Sequence, residues 1–133
     1  MAFYRTREGA LTAADSMTAL GSLYGQSTTS AVQIPQQASS IIGIIATVAS
    51  DSATNGATTF AVQLSGDGLS QGQETLTIGS QGVDGTPASN GMTNLPFNMD
   101  VAIPVVGSNQ VSIAAAMDTD VGTCAVAVTL IFA

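Results

Sequence analysis

Five stretches of this chain alternate apolar and polar residues with a period of two, and clusters of Gly, Asn, Asp and Ser separate them. Phe60, Val62 and Leu64 alternate with Thr59, Ala61, Gln63 and Ser65, and Leu76 and Ile78 alternate with Thr75 and Thr77. Met99, Val101, Ile103 and Val105 share one face, with Asp100, Ala102 and Pro104 on the other. Val111, Ile113, Ala115 and Met117 form the next such series, and Cys124, Val126, Val128, Leu130 and Phe132 the last. A period of two is the geometry of a strand with one face in a core, because successive side chains leave the backbone on opposite sides. Pro104 has no N–H to give to a ladder, which predicts an edge strand or a bulge there. Ile41-Ile42-Gly43-Ile44-Ile45 lacks alternation and is β-branched, so it reads as a strand buried on both sides, sheet-facing inside and subunit-facing outside.

Turn chemistry lies between the strand candidates: Asp51 to Gly56, Gly66-Asp67-Gly68, Asp84-Gly85, Asn90-Gly91 and Gly107-Ser108-Asn109. The segment Gly79 to Pro96, rich in Gly, Ser, Asn and Pro, reads as the main loop excursion. About seven strands at this spacing predict an all-β fold, an antiparallel β-sandwich of jelly-roll type, over residues 31–133. Residues 1–30 read as an N-terminal arm. Within it Leu11, Ala14, Met17, Leu20 and Leu23 recur every third residue, which predicts a short amphipathic helix, and Gly25 to Ser30 reads as a polar linker.

Charge narrows the function. Arg5 and Arg7 are the only cations in 133 residues, there is no Lys or His, and the net charge is −7. Proton transfer near neutral pH, Schiff-base formation and imidazole metal ligation have no side chain to perform them in residues 8–133. The chain therefore reads as no enzyme. A carboxylate pair built on Glu74 is formally open, but sugar clefts use aromatic platforms, and the chain has no Trp and only Tyr4 and Tyr24. Gly66 to Gly72 lacks the lysine of a phosphate-binding loop. Nucleic-acid binding by the body is opposed by its negative charge, and a small-molecule substrate is not expected.

Cys124 is the only cysteine, which rules out an intrachain disulfide, and its place in an apolar series reads as a buried, inert thiol. The start of the chain has no secretory pattern, and the apolar run Ile41 to Ala49 falls short of the roughly 20 residues of a membrane-spanning helix. Asp118-Thr119-Asp120 before Gly122 is the nearest approach to a metal motif. It reads first as a solvated turn between two strands. The alternative is a calcium ion shared between subunits, with Asp51, Asp67 or Asp84 as distant ligands. No cofactor other than that calcium is expected.

Charged residues make up 8% of the chain, against roughly 25% in typical soluble proteins, so its surface is built from neutral hydrogen-bonding groups. Such a surface suits coverage by neighbours better than free diffusion. From Ala31 to Ala133 the chain resembles the small single jelly-roll coat and capsid proteins of viruses. The resemblance lies in Val32-Gln33-Ile34-Pro35 before an apolar strand, in Asp100 to Val105 and Asn109 to Ile113 as a paired meander, and in the terminal strand ending at Phe132-Ala133. It implies a virion structural protein that assembles with copies of itself, and with other capsid proteins, in the host cytoplasm. Arg5, Arg7, Leu11, Leu20 and Leu23 of the arm are then the expected subunit contacts. The alternative is a subunit of a cell-surface layer or extracellular filament. A carbohydrate- or calcium-binding module is a third class.

Overall fold

The computed structural model describes residues 2–12, 15–21, 31–50, 59–80, 92–117 and 124–133. Among the described residues nine strands follow one another: β1 Phe3–Leu11, β2 Thr18–Ala19, β3 Ala31–Gln33, β4 Ser40–Ser50, β5 Thr59–Ser65, β6 Glu74–Ser80, β7 Met92–Pro104, β8 Gln110–Met117 and β9 Cys124–Phe132. They form two antiparallel sheets. The first has the order β1-β9-β4-β7; the second has the order β2-β8-β5-β6, with β3 also on β8. Thr18 and Ala19 pair with Ala115 and Ala114, and Ala31 to Gln33 continue along the same strand at Ser112 to Gln110. Counting β2 and β3 as one interrupted strand gives eight, with the first, eighth, third and sixth in one sheet and the second, seventh, fourth and fifth in the other. That order is the jelly roll.

The core lies where the two alternating faces meet. Phe60, Val62 and Leu64 of β5 and Val111, Ile113 and Met117 of β8 are buried on one side, and Val126, Val128, Leu130 and Phe132 of β9 on the other. Each such side chain contributes about 1.5–3 kcal/mol by leaving water. Pro104 ends β7 at the edge of the first sheet, as its missing N–H requires.

The pairing bears on three expectations. The helix over 11–23 does not form among the described residues. Leu11 ends β1, which pairs along its whole length with β9, and Leu20 follows β2, its N–H donating to the Ile113 carbonyl at 3.0 Å. Both leucines are fully buried. Their three-residue rhythm came from two different strands that point into one core. Second, β4 is buried on its inner face within one copy, at Ile41 and Ile44, while its outward Ile42 is 43% exposed and Ile45 half-buried, on the side expected to face a neighbouring subunit. A register shift between Ile41 and Gly43 explains the missing alternation, because Ile42 is the extra residue of a β-bulge and the inward series resumes at Ile44. Third, Met92 to Pro96, placed in the loop excursion, belong to β7 and pair with β4. Residues 81–91 lie outside the described residues.

The sandwich has well-bonded connections at one end. Gly68 N–H donates to the Gln110 carbonyl, Val106 N–H to that of Gly68, Ser108 N–H to that of Ile34 and Val105 N–H to that of Ser39, at 2.8 to 3.0 Å. Gly68 and Gly107 make this crossing possible. A Cβ on Gly68 would stand 2.6 Å from the Gln110 carbonyl oxygen and collide with Ile34 Cδ1, and one on Gly107 would collide with the Gln36 carbonyl oxygen.

Candidate functional site

Antiparallel partners share a face, so the register sorts side chains into rows across each sheet. On the outer face of the first sheet, Tyr4, Ile131 and Gly43 form one row, Thr6, Thr129 and Ile45 the next, and Glu8, Ala127 and Thr47 the third. Tyr4 is 58% exposed. The Thr6 and Thr129 hydroxyls meet at 2.8 Å, so the second row spends polar capacity within itself. Gly43 leaves its space to Ile131, whose Cδ1 would lie 3.3 Å from an added Cβ. Among the described positions of β1, β9 and β4 on this face, Glu8 is the one charged residue. The outer face of the second sheet carries Ala61, Gln63 and Ser65 of β5 against Ala116, Ala114 and Ser112 of β8, with Gln33 beside Gln110. It is uncharged at these positions.

The inner-face register places Phe3, Arg5, Arg7, Gly9 and Leu11 opposite Phe132, Leu130, Val128, Val126 and Cys124. Both arginines thus sit on the core-facing side of an edge strand, where a long side chain can reach around the edge. Arg5 is exposed and donates from Nη1 to the Tyr4 carbonyl at 3.0 Å. Arg7 is half-buried; it donates from Nη1 to the Thr6 carbonyl at 2.9 Å and from Nη2 across the sandwich to the Ala31 carbonyl at 2.7 Å. Its Nε is buried without a partner. Glu8 exchanges both backbone bonds with Gly21, at 2.9 and 2.8 Å, on the side of β1 away from β9. By the two-residue alternation of the ladder, Tyr4 and Thr6 turn their backbone groups the same way, toward the free edge. The guanidinium groups occupy those carbonyls.

Of the expected contact residues, the structure leaves Arg5 at the surface. Arg7 ties the two sheets, Leu11 and Leu20 fill the core, and Leu23 lies outside the described residues. Tyr4 and Ile42 are surface residues that sequence reasoning missed. Tyr4 was grouped with the arm for its position, and the bulge that exposes Ile42 has no sequence signal apart from the lost alternation. Asp118 and Asp120 lie outside the described residues, as do Asp51 and Asp84. Asp67 accepts a bond from the Gln110 N–H at 3.2 Å, and its carbonyl accepts one from Asn109 Nδ2 at 3.2 Å, so it braces a connection. No group of three or more His, Cys, Asp or Glu gathers among the described residues.

No protein-family model and no curated protein matches the chain. Among solved structures, it is similar to a chain of the acidic stable capsid of Helicobacter pylori bacteriophage KHP30, with a TM-score of 0.44 and 14% identity over 100% of this chain and 94% of that one. It is also similar to a chain of the infectious bursal disease virus Gx strain, with a TM-score of 0.40 and 16% identity, covering 96% of this chain and 37% of that one.

Proposed function

We propose that this protein is a virion structural subunit, a capsid or coat protein that assembles with copies of itself and has no enzymatic activity. The observation that carries the reading is the jelly-roll sandwich whose outer faces present one charged residue among the described positions of β1, β4, β5, β8 and β9. Surfaces poor in charge lose little on dehydration, and apolar burial at about 25 cal/mol per Å² accumulates when symmetry repeats a contact. Arg5 and Arg7 are too few to gather a polyanion, so the shell would enclose its genome without direct binding by this chain. Among the described residues no helix is long and apolar enough to cross a membrane.

Electron microscopy of the purified protein tests the reading. Closed particles of uniform size are the expected result. Extended filaments would replace the proposal by the surface-layer or filament alternative, and a monomer at every concentration would end it. The interface calcium at Asp118 and Asp120 predicts a higher melting temperature in millimolar calcium than in chelator. Equal melting temperatures would remove calcium from the proposal.

A further inference from the structure

Strand β1 is tied to partners that all lie beyond the corner that follows it. Its nine residues pair with β9, Glu8 exchanges two backbone bonds with Gly21, and Arg7 donates to the Ala31 carbonyl. Leu11 is fully buried in the core, and Phe3 packs against it. The chain then passes from the first sheet to the second across residues 12–17. A β1 from another molecule meets the same partners in the same geometry, because the surface it enters is the one its own sequence already fills. We infer that β1 is exchangeable between copies: in a dimer, the β1 of each copy lies beside β9 of the other, with the corner at Asp15 opened. The inference stands on this pairing and not on the coat reading.

The corner is the one place where the two forms differ. Asp15 holds φ at 55°, in the left-handed region that costs an L residue energy, and its N–H donates to the Met117 carbonyl at 2.7 Å. Opening the corner releases that conformation, and short connections under strain favour exchange between copies. In the closed chain the same short tether holds β1 at an effective concentration on the order of millimolar. Exchange is therefore decided when copies fold together at high concentration. Two chains at −7 repel one another, but at 0.15 M salt that repulsion is screened beyond ~8 Å. The β1–β9 ladder acts at contact and is common to both forms.

Thiol trapping on the full chain tests this. The Thr6 and Thr129 hydroxyls meet at 2.8 Å, in a pair whose Cα spacing of about 4.5 Å suits a disulfide. In a Cys124→Ala background the introduced thiols are the only ones. Copies bearing Thr6→Cys and longer-tagged copies bearing Thr129→Cys are unfolded in urea, refolded together over a concentration series and oxidised. Random collision joins like with like as readily as unlike, so the expected result is heterodimer in excess over either homodimer, rising with concentration. Asp15→Gly, which adopts a positive φ freely, is expected to lower the heterodimer about fivefold, and Asp15→Ala to raise it. Circular dichroism melts verify that both variants fold. Sedimentation velocity on the parent refolded at high concentration reads the same equilibrium without thiols, and a dimer is expected. The inference is overturned if heterodimer never exceeds the homodimers, if Asp15→Gly yields as much of it as Asp15→Ala, or if the refolded parent is monomeric at every concentration. Uniform particles formed without heterodimer would overturn the exchange and leave the coat reading standing. Exchanged dimers without particles would support the exchange and end the coat reading.

Discussion

Arg7 joins the two sheets at a point where no apolar contact would serve. Its guanidinium bridges the Thr6 carbonyl on the free edge of β1 and the Ala31 carbonyl on β3. Charge-assisted bonds of this kind contribute about 1.5–3 kcal/mol each when buried and less at a half-exposed site. Arg7→Ala is expected to lower the unfolding free energy by about 1–3 kcal/mol in urea titrations. Arg7→Lys should recover less than half of that, since one ammonium cannot span both carbonyls in the fixed geometry of the fork. An unchanged urea midpoint in Arg7→Ala would mean that the inter-sheet bond carries no weight. Gly68 is a second single-residue dependency. Gly68→Ala must push against the Gln110 backbone as well as the tip of Ile34, and a loss of about 1–3 kcal/mol is expected. Gly72, with φ +90° but nothing within 4 Å, is a position where the backbone conformation alone sets the cost of a side chain.

At the scale of elements, β4 and β1 show what a linear pattern can and cannot carry. Strands β5, β8 and β9 were legible because each is paired on both sides and keeps a large apolar residue at every second position over most of its length. In β4 the bulge inserts Ile42 and breaks the count, which is why the strand shows no alternation. Ile41→Ala is accordingly expected to cost about 2–5 kcal/mol and Ile42→Ala only about 0.5 kcal/mol, read from chemical unfolding of the two variants. Comparable losses would show that Ile42 is packed as firmly as Ile41. The β1 strand was illegible for another reason. Its inner-face positions are Phe3, Arg5, Arg7, Gly9 and Leu11. The arginines are tolerable there because an edge gives their heads access to carbonyls and water, and Gly9 because Leu20 of the neighbouring segment occupies its side-chain space, 3.0 Å from where a Cβ would stand. No periodicity survives those substitutions. Deleting residues 2–11 should therefore uncover the paired edge of β9 and leave a chain that aggregates or melts early.

For the molecule as a whole, charge is as decisive as shape. Copies carrying −7 repel one another at long range, so self-association is expected to strengthen as salt rises and shortens the Debye length from ~30 Å at 0.01 M toward ~8 Å at 0.15 M. Arg5→Glu changes the net charge by −2, from −7 to −9, and should make that dependence steeper. Sedimentation at two ionic strengths checks both, and association that weakens with salt would show that attraction between opposite charges dominates. The neutral surface was legible from composition alone. Which face would be apolar was not, because it depends on the pairing of β1 with β9 and of β9 with β4, and no local pattern specifies those partners. That pairing also fixes when a copy can be finished. The Thr6 and Thr129 hydroxyls that meet on the first sheet are 123 residues apart in sequence, so β1 has no ladder until β9 has been synthesised. Closing so long a loop is a slow step for a β topology. During translation β1 must wait, and its arginine-covered edge is what a waiting strand needs to avoid wrong partners. The rows Tyr4–Ile131–Gly43 and Thr6–Thr129–Ile45 come into being only when β9 is added, so a chain ended before Cys124 lacks them.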